Sequence, residues 1–417
     1  MMMMMISNQD RMKALGGGGG GGGGDSSITD TFLVNAAKGL LRSISLGTKR
    51  YSSAVLQDML SLLSVWFRHG HVAEVYRALD SGLGMVHIDT WLGVLPQLIA
   101  RIDHSEENAR KLLHALIIRL GNSHAQALVY PLSVAVKSPR PERKLAAESL
   151  MISIRQHNEK LIDQALLVSH ELIRVAILWE EIWHEVLEEA SRLYFGEGNV
   201  RAMLDLLLPK HELLSIGPTT LRESSFIQYF GNELSGAWES LRQYISIMAA
   251  KGKEIPTSNA SPQHKKSKAA LTEDEKALAL AWEIYYSVFK KINQSLRNIN
   301  TLEFCYVSPS LQACRNLTLG VPGTYSVDGN AVKIVSFKET VQVIKSKQRP
   351  RKIVILGEDG NRYAFLLKGH EDLRQDERAM QLFGLVNALL YHDRRTENDD
   401  LSIQRYAVVP LSPTVIK

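Results

Sequence analysis

The sequence predicts a mainly α chain in three parts: an α-solenoid, then a four-helix bundle, then a small and incomplete α+β module. Three observations carry this. Aliphatic residues recur at helical spacing as far as about residue 297, in segments broken by short polar or Gly/Pro stretches. Between about residues 171 and 297 the segments lengthen and aromatic residues join the apolar stripes. From Asn300 onward the texture changes to short β-branched and aromatic runs separated by turn residues.

A chain of 417 residues has room for more than one buried core, and its formal charge of +5 is too small to argue for nucleic acid. No uncharged apolar run is long enough to span a membrane. Cys305 and Cys314 are too few and too far apart for a disulfide framework or a zinc site, which fits an intracellular protein. The Asn-X-Ser/Thr triplets at Asn259, Asn293 and Asn316 stand without a secretory signal. Residues 1–28, with five leading methionines and the glycine run from Gly16 to Gly24, read as a disordered leader, because such a segment buries too little surface to offset its chain entropy.

Residues 29–170 read as paired helices over 32–45, 53–69, 72–79, 90–102, 106–120, 125–136 and 142–157. The stretch KLLHALIIRL, starting at Lys111, is apolar on most sides, as expected of a helix with neighbours on both faces. Stacked helical hairpins of this kind form an α-solenoid, for which a scaffold surface is the plain reading. Residues 171–297 read as a bundle. Its first helix, over 177–195, carries Leu187, Ser191 and Phe195 on one stripe, and its last, over 274–292, carries Trp282, Tyr286 and Phe289. Such stripes ordinarily pack a core. Between the third and last helices, residues 251–270 (KGKEIPTSNASPQHKKSKAA) read as a flexible insertion whose Lys265, Lys266 and Lys268 are solvated.

In the last part, residues 298–417, turns are expected at VPGT (321–324) and VDGN (327–330). KIVILG and RYAFLLK flank Glu-Asp-Gly-Asn, and Asp359-Gly360 predicts a type I′ hairpin turn. Lys368 then ends the second strand. Gly369 releases the chain, and His370, Glu371 or Asp372 caps a helix with Leu373, Met380, Phe383, Val386 and Leu390 on roughly one face. A strand-end lysine facing acidic residues of the next helix is how kinase N-lobes hold nucleotide phosphates, although such a lysine alone is more commonly solvated. Glu371 and Asp376 are both candidates to hold it, and spacing does not rank them.

LLKGHEDLRQDERAMQLF closely resembles the N-lobe lysine motif of the phosphatidylinositol-kinase-related protein kinases. SKQRPRKIVILG before it, LSIQRYAVVPLS after it, and the upstream phrases RSISLG, IDTWLGVLPQLIARID and HAQALVYPL resemble the target-of-rapamycin (TOR) branch of that family. The resemblance implies the end of the helical FAT region, the FKBP-rapamycin-binding (FRB) bundle and part of a kinase N-lobe. It implies a serine/threonine protein kinase that couples nutrient and growth signals to cell growth, using ATP and Mg²⁺. Implied partners are rapamycin with its FKBP immunophilin, a Raptor-like scaffold, a WD40 propeller and protein substrates, without nucleic acid. The implied location is the cytoplasm, with endomembranes or the nucleus also open.

Carried over by position, the resemblance places Leu187, Ser191, Tyr194, Phe195, Trp282, Glu283, Tyr286 and Phe289 at the rapamycin groove. A small serine there leaves room for a macrolide between aromatics. Ala279 stands where the family has threonine, which removes a hydroxyl worth about 1 kcal/mol, and Glu283 stands for an aspartate. At the nucleotide site, Lys368 would bridge the phosphates beside Glu371 or Asp376, and Ile344, Leu366 and Tyr406 would line the adenine pocket. No Gly-x-Gly-x-x-Gly loop is present. The basic stretch IKSKQRPRK (344–352) takes its place, with Ser346 over the phosphates, whereas on sequence alone it would be a protected sheet edge.

The remaining parts of a phosphotransfer site are missing from these 417 residues. There is no D-F-G. Asp393 and Asn398 mimic the spacing of a catalytic loop, but they follow the N-lobe helix directly, where the family has a variable loop. PTVIK, residues 413–417, departs from the family's Gly-rich continuation. The sequence therefore predicts no catalytic or metal-ligating residue in this chain and no activity from it alone, as a truncated gene model or a short isoform. The rival reading is a non-catalytic helical scaffold or dominant-negative isoform that recruits substrates through the groove.

Overall fold

The computed structural model describes residues 25–47, 53–257, 271–326, 331–369, 371–396, 399 and 401–412. The leader up to residue 24, most of the expected insertion (258–270), the turn expected at 327–330, His370, Asn398 and the divergent residues 413–417 lie outside them. The chain divides into two compact units, residues 1–157 with 381–405, and residues 158–380 with 406–417.

The first unit holds the solenoid-like helices α1 (Asp25–Leu46), α2 (Ser53–His69), α3 (Ala73–Gly82), the short α4 (Leu95–Ile99), α5 (Glu107–Val136) and the first half of α6 (Pro141–Ala176). Helix α1 begins inside the expected leader, at Asp25. The helix expected over 90–102 is instead a 3-10 stretch, Ile88–Val94, followed by α4 with its proline in the first turn. Proline lacks the N–H of a helix interior but fits a first turn, so it restarts the helix there. The two helices expected over 106–120 and 125–136 are both present, as the halves of α5 on either side of a break at His124 (φ −134°, ψ 44°). The buried His124 ring bonds Asp89 at 2.9 Å, which holds that break. Helix α6 breaks likewise at Asn158 (φ −138°, ψ 37°).

In the second unit the bundle is α7 (Trp179–Ser191), α8 (Val200–Ile216), α9 (Leu221–Ala250) and α10 (Glu273–Arg297). Thr220 and Glu223 close a capping box at the start of α9, and Trp183, Phe226, Leu241, Tyr285 and Val288 form part of the buried core. Helix α7 starts two residues later than expected and continues through one wide π turn, Arg192–Gly196.

The α+β part carries a five-stranded antiparallel sheet of β1 (Thr301–Glu303), β2 (Ile334–Phe337), β3 (Thr340–Val343), β4 (Arg351–Gly357) and β5 (Arg362–Leu367). One edge of β4 pairs β3 at its start and β2 at its end, and the other pairs β5, with Arg351 opposite Leu367 and Lys352 opposite Leu366. The short helices α11 (Phe304–Val307) and α12 (Pro309–Ala313) follow β1, and α13 (Arg374–His392) follows β5. Thr324 N–H closes the expected turn on the Val321 carbonyl, with Gly323 at φ 83°. The β4–β5 turn is not type I′. Only Gly360 has positive φ (78°), while Gly360 N–H closes on the Gly357 carbonyl and Asp359 accepts from Asn361 and Tyr363. These are the features of a type I turn followed by a left-handed glycine.

Candidate functional site

Three of the nucleotide-site candidates lie on one face of the sheet. Side chains alternate along a strand, so Ile344 just past β3, Leu366 on β5 and Lys368 just past it point to one side, while Val343 and Leu367 are buried on the other. Strand β5 ends at Leu367, one residue short of the expected Lys368. Ile344, Leu366 and Tyr406 are 39%, 49% and 63% exposed, an open apolar surface. Lys368 Nζ lies 2.7 Å from Glu371 Oε2. The Glu371 hydrogen bond, with further attraction from Asp376 and Tyr406, raises the lysine's pKa above its ordinary value. The structure thus ranks the two acidic candidates. Glu371 makes the direct bond, and Asp376 contributes through space.

Local sequence explains the corner. At Gly369 a Cβ would meet Ile177 Cγ1 at 2.5 Å and the Ala176 carbonyl at 2.7 Å, so only glycine lets the chain leave β5 this closely. Asp372 then accepts from the Arg374 backbone N–H at 3.1 Å and pairs with its guanidinium, starting α13. In the basic loop, Ile344 N–H donates to the Pro350 carbonyl, Ser346 N–H to the Ile344 carbonyl and Arg349 N–H to the Ser346 carbonyl. The Ser346 amide is therefore engaged within the loop rather than open. Its side chain is exposed. Asp393 is bound by Arg395, through its backbone N–H at 2.9 Å and its guanidinium at 3.2 Å. Among the described residues no three His, Cys, Asp or Glu side chains group so as to hold a metal ion.

The second site is a groove of about 1100 Å³ on the bundle, lined by Leu187, Ser191, Tyr194, Phe195, Trp282, Glu283, Tyr286 and Phe289, with Ala279 beside them. The π turn after α7 presents Tyr194 and Phe195 to α10. Tyr194 stacks on Trp282 at 5.2 Å, and Phe195 lies 5.1 Å from the same ring. Lys290 sits 4.0 Å over Tyr286, and His184 stacks on Phe289. Sequence reasoning missed the groove's third side, where Tyr244 and Met248 of α9 and Lys251, Lys253, Glu254 and Pro256 after it also line it. The chain is held there by Arg201 N–H donating to the Pro256 carbonyl at 3.0 Å and by Lys251 pairing with Asp274 at 2.6 Å. The pair Ile255-Pro256 within a polar run was the one local signal.

Comparison with known proteins finds three family models along the chain. A family model described as the FKBP12-rapamycin binding domain matches residues 171–294. One for the HEAT repeats of ATR-like serine/threonine-protein kinases matches 74–170, and one for phosphatidylinositol 3- and 4-kinases matches 362–415. Two Drosophila melanogaster proteins separate the branches. The serine/threonine-protein kinase mTor is 48% identical over 388 residues, while the serine/threonine-protein kinase Smg1 is 26% identical over 372. The chain belongs to the target-of-rapamycin kinase family. Serine/threonine-protein kinase TOR of Oryza sativa subsp. japonica is 50% identical over 387 residues, covering 93% of this TOR-family chain and 15% of the relative. The chain thus spans about 15% of the length of such curated relatives. A solved structure of the FAT and kinase domain of CtTel1 superposes with a TM-score of 0.53 at 15% identity, over 93% of this chain and 20% of that one, which shows a shared fold.

Proposed function

We propose that these residues form the FAT end (29–170), the FRB bundle (171–297) and the start of the kinase N-lobe (298–417) of a TOR-type serine/threonine kinase. Such a kinase couples nutrient and growth signals to growth by ATP-dependent protein phosphorylation. The observation that carries the reading is the Lys368–Glu371 pair at 2.7 Å beside an open apolar face. Phosphoryl transfer is largely positioning and charge neutralisation, and an ammonium kept charged by a carboxylate suits ATP phosphates. Lys368 would contact the phosphates, held by Glu371 with Asp376 behind it. Ile344, Leu366 and Tyr406 would receive adenine, and Ser346 with its basic neighbours would cover the phosphates. In a complete kinase Mg²⁺ would accompany the ATP phosphates.

The groove would take rapamycin with an FKBP immunophilin, between the aromatic walls and over the small Ser191. In a complete kinase, a Raptor-like scaffold and a WD40 propeller would be partners, in the cytoplasm and on endomembranes or in the nucleus. Among the described residues no helix is long and apolar enough to cross a membrane. The alternative, a scaffold that recruits substrates through the groove, draws on that groove and on the missing D-F-G.

The deciding test places Lys368→Met and, as a control, Lys333→Met, an exposed lysine paired with Glu358 at the other end of the sheet, in a full-length kinase carrying these residues. Lys368→Met is expected to lower peptide phosphorylation by about 100-fold or more, with Lys333→Met near wild type. Equal activity of the two variants refutes the nucleotide assignment. For the groove, the chain should capture an FKBP only when rapamycin is present, and Ser191→Ile should abolish capture. Capture unaffected by Ser191→Ile refutes the groove assignment.

A further inference from the structure

We propose that Glu181, on the first helix of the bundle, is a positioning residue for the basic loop at 344–350, fixing its backbone through Arg351 and Arg349. The inference rests on the reading of that loop as the phosphate cover. Arg351 opens β4 facing inward and is 1% exposed, and a guanidinium so buried requires a counter-charge. Its Nη2 bonds Glu181 Oε2, and its Nη1 donates to the Arg349 carbonyl. Glu181 is itself 5% exposed. The same Oε2 accepts the Leu178 N–H at 2.9 Å, closing the N-terminal cap of α7, while Oε1 lies 3.9 Å from Arg349 Nη1. One carboxylate therefore caps the groove helix and anchors the returning limb of the loop.

Arg349 is where that anchor matters. It sits at φ 43°, a conformation that a non-glycine residue keeps only when its surroundings hold it. Its N–H donates to the Ser346 carbonyl at 3.2 Å, its carbonyl accepts from Arg351, and its side chain faces Glu181. Ile344 N–H to the Pro350 carbonyl, at 2.9 Å, closes the other end. A buried ion pair is weak stabilisation compared with well-packed apolar residues, so directional control of the Arg349 carbonyl is the property that charge adds here. Loosening it would let Ser346 and the flanking lysines wander from any phosphate they cover.

Amide hydrogen exchange on the whole chain, with and without ATP, tests this. Glu181→Gln keeps an oxygen for the Leu178 N–H and removes the charge. The expected result is exchange about tenfold faster at residues 344–349, bundle amides unchanged, and more ATP needed to protect the loop. Because Glu181→Gln leaves Arg351 buried and unpaired, the double variant Glu181→Leu/Arg351→Leu guards against simple misfolding. It should leave bundle and sheet protected and the loop fast. A double variant with wild-type loop exchange, or a Glu181→Gln chain protected by ATP at wild-type concentrations, overturns the proposal and leaves the nucleotide reading standing. Absence of ATP protection in the wild-type loop overturns the nucleotide reading, and the proposal with it.

Discussion

His211 shows how much one side chain of the bundle depends on its surroundings. It is 5% exposed, bonds Tyr285 Oη at 2.8 Å, stacks on Trp238 and meets Trp183 edge-on. Burial, with Arg242 nearby, pushes its pKa down to about 4. The folded value lies below the ordinary value of 6.5, so between these two pH values the unfolded chain binds the extra proton. The stabilisation is complete above about pH 6.5 and is lost as pH falls toward about 4, amounting to about 3 kcal/mol. His211→Gln removes the titration. Urea unfolding followed by tryptophan fluorescence should show the wild-type advantage over His211→Gln shrinking by about that amount from pH 7.5 to pH 4. A pH-independent difference would mean the ring is not held neutral. These contacts were not legible beforehand, because the partners of His211 come from α7, α9 and α10.

At the scale of elements, one glycine sets how closely α5 and the first half of α6 approach. A Cβ at Gly121 would meet Ile154 Cδ1 and Cγ1 at 2.5 Å, and Ile154 is itself wholly buried. Alanine in a helix normally gains about 1 kcal/mol over glycine, whereas overpacking costs about 1–3 kcal/mol. Gly121→Ala should therefore destabilise the wild-type chain, yet stabilise one already carrying Ile154→Ala, in which the clash is gone. Thermal melts of the four chains in this cycle check it, and a Gly121→Ala effect of the same sign in both backgrounds would disprove the close approach. Elements with a clear period were legible. Helix α2 falls at the expected residues, and the β4–β5 hairpin follows from its β-branched runs. The breaks at His124 and Asn158 fall where the helices expected over 106–120, 125–136 and 142–157 meet their neighbours, whereas the 3-10 stretch Ile88–Val94 in place of a regular helix was not legible. The type I′ turn failed because Gly357 N–H bonds the Asn361 carbonyl, leaving a three-residue loop, for which a type I turn followed by a left-handed glycine is usual.

For the whole molecule, the groove and the Lys368 corner were legible as lists of residues, because family words carried them. The chain after α9 that closes the groove, and the Glu181–Arg351 tie, were not. Both join residues remote in sequence, by a backbone bond at Pro256 in one case and a buried ion pair in the other. What the residues hold decides what the chain does by itself. Transfer of a phosphoryl group needs a base aspartate, an asparagine and aspartate for metal, and the phosphate lysine in one cleft. Here Lys368 and Glu371 stand together, but no D-F-G occurs in the sequence, and Asp393, which mimics the base, forms an exposed ion pair with Arg395. Of the required charges, Lys368 and Glu371 are those proposed to bind the phosphates, and the sequence holds no D-F-G aspartate for metal. The purified 417-residue chain should phosphorylate a peptide no faster than its own Lys368→Met variant, while ATP still slows exchange around Lys368. Peptide phosphorylation well above the Lys368→Met control would show that this chain holds a base and metal site that its motifs and geometry do not contain.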